Sequence, residues 1–453
     1  MFESLTIPSP KRNSKLQIGW EGFFPYYAGF PESFADAVLS TAGVSTNSVI
    51  LDPWNGSGTT TYVATSRGIA SIGIDLNPAM IIVAKARVLS PSEADSIQPL
   101  GREILKSAAE DNQPIDPTDP LTFWFSNNTA RSLRSIESSI RRHLLGSLTL
   151  TSGAINLDRL SGLAATYYVA LFSVCRQLTK RYRSTNPTWL RRPKANESKV
   201  RSRQASIERR FTSRLCSMAE ALSTRTNATS SEQTMSELRV ADTSASILLD
   251  DSIDLILTSP PYCTRIDYTA ATRIELAALH PLLSETYDTL ARQMTGTTKI
   301  ANHHIDAAAN WGPTCSAFLH SLKAHQSKAS SGYYYKTHLD YFDKMSRSLA
   351  HCAKALRTGG AAIIVIQDSY YKDIHNDLPT IISEMALAHS LKLKRREDFY
   401  FSRSMSGLNP RARAYGRRSG AVESVLCLQK ELTTRRNPVR SGRSQRSANG
   451  AAA

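Results

Sequence analysis

Residues 44–60, VSTNSVILDPWNGSGTT, pass from polar into apolar β-branched residues and stop at Asp52-Pro53. They then turn through Asn55-Gly56-Ser57-Gly58 and resume at Thr59-Thr60 in a helical pattern, TYVATSRG. A short apolar run closed by a turn of small residues reads as strand, turn, helix. The glycines let the backbone turn tightly and approach a ligand, which the amides of the helix N-terminus then face. A second apolar run, Ile69 to Ile74, ends at Asp75 and is followed by LNPAMIIVAKARVL at 76–89. Asn77-Pro78 suits a helix start, and the apolar spacing suits its continuation. The two units together predict a βαβα segment of an open parallel α/β sheet. Asp75 falls 17 residues after Gly58 at the end of the second strand, where a carboxylate can accept both hydroxyls of a ribose. A dinucleotide fingerprint needs a third glycine that this turn lacks, so an adenosine-type ligand without a pyrophosphate fits better.

Outward from this unit the rhythm breaks. Between Ala94 and Glu237 the chain carries helical patterns, a Phe123-Trp124-Phe125 cluster, the apolar run LAATYYVALFSVC and a basic stretch, with no clean strand until LRVAD at 238–242. Asp242 ends that strand, and is a candidate acceptor for an adenine amino group at the sheet edge. Alternation then returns with SIDLILTSPPY at 252–262, the helix THLDYFDKMSRSLAHCAKAL, Gly359-Gly360 and the strand AAIIVIQD. The helix DLPTIISEMALAHSL and the strands KRREDFYFSR and AVESVLCLQK close the sheet. From Glu431 onward the chain is polar and Arg-rich, which predicts a disordered tail.

The 453 residues exceed what one core holds, so two to three domains, or one core with a large insertion, are expected. An apolar fraction of 41% excludes a wholly disordered chain. The net charge of +16 is concentrated: residues 176–214 hold 13 Lys and Arg against 2 Asp and Glu, and residues 431–453 hold 5 Arg against 1 Glu. In the first of these, Tyr182, Trp189 and Phe211 are interleaved with arginines. Such a surface can neutralise phosphates and stack on bases. Six scattered cysteines without a CxxC pair give neither a zinc module nor a disulfide framework, so no metal is expected. No apolar run reaches the roughly 18 residues of a membrane span, and the N-terminus lacks a secretory signal. A cytoplasmic protein is expected, nucleoid-associated in a prokaryote.

The chemistry falls at Asp254-Leu-Ile-Leu-Thr258-Ser259-Pro260-Pro261-Tyr262, an apolar strand that delivers a hydroxyl, two prolines and an aromatic ring at its C-terminal end. Two prolines fix φ and remove two amide donors, leaving local carbonyls as unopposed acceptors. Methylation of an exocyclic base amine needs such acceptors. The amine's lone pair is delocalised into the ring, and hydrogen bonds from its two N–H groups to Ser259 Oγ and the Pro260 carbonyl draw the nitrogen toward tetrahedral geometry. Tyr262 would stack on the extruded base. Cys263 reads as a packed small residue. Arg265, Asp267 and Tyr268 stand between a structural role and contact with the target strand, and Tyr333-Tyr334-Tyr335 reads as core or interface.

At these motifs the chain resembles the S-adenosyl-L-methionine-dependent DNA methyltransferases that make N4-methylcytosine or N6-methyladenine. DPWNGSGTT is similar to their cofactor motif, with Trp54 where Phe is usual. GIDLNP resembles their ribose-binding motif, VADTSAS their adenine-contacting motif and TSPPY their catalytic motif. FPYYAGFPE at 24–32 resembles the segment that packs over the methionine end of the cofactor. The resemblance implies a Rossmann-like seven-stranded methyltransferase sheet. It assigns the cofactor to Phe30, Pro31, Asp52, Pro53, Gly56, Ser57, Gly58, Thr59, Thr60, Asp75, Asn77 and Asp242, and catalysis to Ser259, Pro260, Pro261 and Tyr262. It divides the chain into an N-terminal arm (1–19), a cofactor half (20–93), a helical basic insertion for target recognition (94–237), a catalytic half (238–430) and the tail (431–453). Double-stranded DNA is the implied partner, with a cognate restriction or defence partner possible. Arg181, Arg183, Trp189, Arg191 and Arg192 of the insertion, with Arg411 and Arg413 of the last inter-strand loop, are its candidate contacts; Arg417 and Arg418 lie in the same loop. Ser259 at the first catalytic position favours cytosine N4 over adenine N6. An RNA base N-methyltransferase and a catalytically silent DNA-binding protein on the same fold are the alternatives.

Overall fold

Seven strands form one sheet in the computed structural model, which describes residues 1–12, 20–25, 29–145, 157–183, 190–225, 235–245, 248–263, 267–300, 305–401 and 421–431. The strands are β1 (Val49–Asp52), β2 (Ala70–Asp75), β3 (Ser236–Val240), β4 (Ile253–Thr258) and β5 (Leu356–Gln367), then β8 (Leu391–Phe401) and β9 (Ala421–Lys430). Between β5 and β8, a short hairpin of β6 (Ser369–Tyr371) and β7 (Ile374–Asn376) stands apart. The sheet order is β3-β2-β1-β4-β5-β9-β8. β1 to β5 pair in parallel, and β9 is antiparallel to both of its neighbours, so it alone runs against the other six.

Both faces of the central strands are covered, so their side chains are apolar on alternate sides. Ile50, Leu255 and Leu257 pack with Phe34, Val38, Val63 and Ala64 on one face. Leu51 and Ile256 pack on the other with Phe342, Met345 and Ile382. The first group belongs to α2 (Glu32–Thr41) and α3 (Thr59–Ser66), which follow a single-turn α1 (Trp20–Phe23).

After β2 come α4 (Pro78–Arg87) and then four long helices: α5 (Ala94–Glu110), α6 (Asn127–Leu144), α7 (Gly162–Leu178) and α8 (Gln204–Ser223). Four long helices thus stand between β2 and β3. Their hydrophobic core is continuous with α4: Met80, Ile82 and Val83 join Trp124, Phe125, Tyr167, Tyr168, Phe172 and Phe211 in one cluster. The expected stacking role of Tyr182 and Phe211 is not met, because burial in this layer removes both rings from solvent.

The second half supplies α9 (Tyr268–Ala271), α10 (Arg273–Ala278), α11 (Tyr287–Gln293), α12 (Pro313–Ala324), α13 (Tyr335–Ala355) and α14 (Leu378–Ala388). No disulfide links the six cysteines. Among the described residues no helix is long and apolar enough to cross a membrane, and no cluster of His, Cys, Asp and Glu is arranged for a metal. Trp189, Arg265, Arg411, Arg413, Arg417, Arg418 and residues 432–453 lie outside the described residues.

Candidate active site

In an open α/β sheet the crevice for a ligand forms where strand order reverses, at the C-terminal ends of the strands. Here that place is between β1 and β4, and a cleft opens there. Its floor is the turn after β1. Gly58, the residue before α3, has φ +78°, and a Cβ there would lie 2.7 Å from Cβ of Ala84 on α4. This turn therefore needs glycine both for its backbone conformation and for its approach to the neighbouring helix.

Asp75 at the end of β2 organises the turn. One carboxylate oxygen accepts the Gly56 amide at 2.8 Å, and the other accepts the Asn77 amide at 2.8 Å. Burial pushes its carboxyl up to about 6, against the downward pull of those two amides. Unused lone pairs remain on both oxygens. Asp52, at the end of β1, accepts the Thr258 hydroxyl at 2.6 Å and the Trp54 amide at 3.2 Å, and burial also lifts it to about 6. The adenosine-type ligand inferred from the turn fits this donor set: a half-buried carboxylate, a glycine turn and apolar walls formed by Phe30, Leu76 and Met80.

The opposite wall is the end of β4. Ser259, Pro260, Pro261 and Tyr262 all line the same cleft. The Pro261 carbonyl accepts the Tyr341 hydroxyl at 3.1 Å, and the Tyr262 amide donates to the Tyr268 hydroxyl at 3.0 Å. The Pro260 carbonyl and the Ser259 hydroxyl make no hydrogen bond to the described residues. Two acceptors on cleft-lining residues are thus left without a hydrogen bond to the described residues.

Of the cofactor candidates, Phe30, Asp52, Gly56, Ser57, Thr59, Asp75, Asn77 and Asp242 line the cleft. Pro31, Pro53, Gly58 and Thr60 do not, and act behind its wall. Thr60 is fully buried and donates to the Leu257 carbonyl at 3.1 Å, tying α3 to β4. Pro53 gives its carbonyl to the Thr243 hydroxyl. Pro31 precedes α2 as its N-cap. Asn77 caps α4 by accepting the Ala79 amide at 3.1 Å and donates to Thr272 at 2.8 Å, so it shapes the pocket while facing it. Asp242 accepts the Ser244 amide at 2.8 Å.

Several cleft residues escaped sequence reading. Arg12 reaches across to the Gly29 and Phe30 carbonyls at 3.2 and 3.1 Å and to Thr59 Oγ1 at 3.0 Å. It sits within the 1–19 arm, where no motif marks it. Tyr268 and Thr272 come from α9 and its C-cap, and Met294 and Thr295 from the loop after α11. Of these, Tyr268 was singled out in the sequence, between a structural role and contact with the target strand, whereas Thr272, Met294 and Thr295 carried no signal. Cys263 is buried, with Asn376 Nδ2 at 3.7 Å from its sulfur, as a packed residue should be. Tyr333 and Tyr334, read as core or interface, are 42% and 38% exposed, and the Tyr334 ring packs on Tyr333 and Tyr371.

The basic insertion is differently arranged from its sequence reading. Arg191 pairs with Glu197, its second amino group at 2.8 Å, and Arg181 donates to the Tyr182 hydroxyl at 2.7 Å and to the Ser198 carbonyl. These internal partners occupy two of the arginines expected to meet DNA. Arg183 is exposed at a bridge to Leu190, and Arg192 lies over the half-exposed Phe123 ring at 4.0 Å. A groove without carboxylates lies on α7 and α8 instead, lined by Gln177, Arg209, Arg210, Ser213, Arg214 and Ser217.

Five parallel strands ordered 3-2-1-4-5 and a reversed strand inserted beside the fifth form the Rossmann-like seven-stranded sheet that the resemblance implied, with the cleft at its switch point. Residues 2–86 match a family model described as DNA methylase, of the N6/N4 type. The chain is also similar to the Type II methyltransferase M.BsoBI of Geobacillus stearothermophilus, with 25% identity over 280 residues, or 56% of this chain and 51% of that protein. It thus spans about half the length of the curated relative it matches. Both findings support the resemblance to amino-methyltransferases drawn from the motifs.

Proposed function

We propose that the chain is a DNA methyltransferase that uses S-adenosyl-L-methionine to methylate the exocyclic amine of an extruded base, cytosine N4 in preference to adenine N6. One observation carries the reading: the unopposed Ser259 hydroxyl and Pro260 carbonyl share a cleft with the Asp75 carboxylate and the glycine turn. Asp75 would accept the ribose hydroxyls, Asp242 the adenine amine, and Arg12 would face the methionine carboxylate. The bound cofactor supplies an electrophilic methyl group on a sulfonium.

The protein's part is positioning. Ser259 and the Pro260 carbonyl accept the two amine protons, which localises the nitrogen lone pair toward the methyl group. Tyr262 stacks on the base and keeps it in line. Asp75, Asp242 and Arg12 would hold the cofactor with its methyl group toward the nitrogen, whose new C–N bond would replace the S–C bond and leave a neutral thioether. The amine's surplus proton passes through these acceptors to solvent. The amine nitrogen is the nucleophile, so neither step requires one from the protein, and the buried Cys263 has no part in it.

The insertion, 94–237, is the proposed target-recognition element. Its phosphate contacts are assigned to exposed Arg183 and Arg192 and to the α8 groove. The name of the similar Type II enzyme supports a role beside a restriction partner. Incubating the protein with labelled cofactor and mixed DNA, then digesting to nucleosides, is expected to give labelled N4-methylcytosine. Label found only in RNA or only in protein would refute the proposal.

A further inference from the structure

We infer that Tyr268 and Tyr341 are positioning residues that clamp the catalytic segment by its backbone, and so dictate which of its carbonyls meets the substrate amine. The inference rests on the function proposed above and deepens it. A Pro-Pro pair has two missing amides and no side-chain polarity, so the segment from Ser259 to Tyr262 offers few points by which a fold can hold it. Three of those points are taken. The Tyr262 amide donates to Tyr268 Oη at 3.0 Å, and the Pro261 carbonyl accepts from Tyr341 Oη at 3.1 Å. The Tyr262 carbonyl lies against Gly296, whose φ is +78° and where a Cβ would come 2.6 Å from that oxygen.

The clamps come from separate elements. Tyr268 opens α9, whose N-cap Asp267 accepts the Ala270 amide at 2.9 Å and the Thr269 hydroxyl at 2.6 Å. Tyr341 belongs to α13 and is fully buried in the sheet core. Burial raises both phenols above their ordinary range, so they act as neutral hydroxyls. Tyr341 donates and Tyr268 accepts, and this polarity matches the one carbonyl and the one amide they hold. The Pro261 carbonyl is tied to Tyr341, and the Pro260 carbonyl is the one of the pair that makes no hydrogen bond to the described residues. The two tyrosines therefore decide the geometry of transfer without touching the reacting atoms.

The test uses Tyr268→Phe and Tyr341→Phe, which remove only the hydroxyls, alone and together in the full chain. Methyl transfer to DNA, cofactor binding by titration and thermal melting are measured for each. Each single variant is expected to lower kcat about 10- to 100-fold, as a misplacement of the reacting groups does. Cofactor Kd, KM for DNA and melting temperature should stay close to those of the unmodified protein. The double variant should lose less than the product of the single losses, since both act on one segment. Unchanged kcat in both variants of an active protein would overturn the clamp. So would a loss of kcat matched by equal losses of cofactor affinity and melting temperature, which marks general structural damage. Failure of the unmodified protein to methylate DNA in the same assay would instead refute the proposed function, and the clamp's role with it.

Discussion

Cofactor affinity should depend on pH through Asp75. In the ligand-free cleft burial holds this carboxyl at about 6, although the Gly56 and Asn77 amides already favour its charged form. Ribose hydroxyls donating to it would favour the charged form further, so binding draws on the ionised fraction. At pH 7 that fraction is about nine-tenths, and at pH 5 about one-tenth, so affinity should fall roughly tenfold between them, about 1.4 kcal/mol. The stability of the ligand-free protein runs the other way. A carboxyl raised in the folded state contributes stability fully below its ordinary value near 3.8, and this contribution is lost as pH rises through about 6. The cofactor should therefore raise the melting temperature more at pH 7 than at pH 5. Titration of the protein with cofactor from pH 5 to 7, repeated on Asp75→Asn, measures both effects. The variant should bind more weakly and lose most of the slope. A flat profile in the unmodified protein, or an undiminished slope in Asp75→Asn, would refute the reasoning.

Tyr262→Ala should lower turnover on DNA about 10- to 100-fold, the worth of one base stack, while a cofactor titration changes little. Gly58→Ala should destabilise the protein by about 2–4 kcal/mol in chemical denaturation, because the new Cβ meets Ala84 and the positive φ is strained. Replacing Arg209, Arg210 and Arg214 together by Ala should weaken DNA binding and flatten its dependence on log salt by up to about three contacts, with cofactor affinity unchanged.

The parts of the site that obey local rules were legible in the sequence. The glycine turn, Asp75 and the Ser259 to Tyr262 segment each follow an apolar strand, and strand ends of a parallel sheet converge by topology alone. Thr60 and Pro53 fell inside the same motif, but whether a side chain turns toward the cleft or the wall depends on the helix that packs behind it, and their neighbours Leu257 and Thr243 lie about 190 residues or more away in sequence. Arg12 and Tyr341 had no pattern to mark them, since the partners they bond lie between 17 and 80 residues away in sequence. The basic stretch shows the limit of counting charge. Arginines that look free in composition are spent where a carboxylate or carbonyl folds back on them, as Glu197 does on Arg191. The hairpin of β6 and β7 went unread because its strands are only three residues each.

The detour between β2 and β3 bears on the order of assembly. Ser71 and Ser236 touch across the sheet from positions 165 residues apart, so the edge strand that carries Asp242 toward the cleft is synthesised only after four long helices have emerged. Those helices share their core with α4, and can collapse onto it before β3 exists. β9 must likewise wedge between β5 and the earlier-made β8. Such distant pairings pay their loop-closure entropy before they gain contacts, and they slow folding. The Asp242 side of the cleft thus waits on the detour between β2 and β3, and a chain halted before β3 would carry the glycine turn and Asp75 without the strand that flanks them.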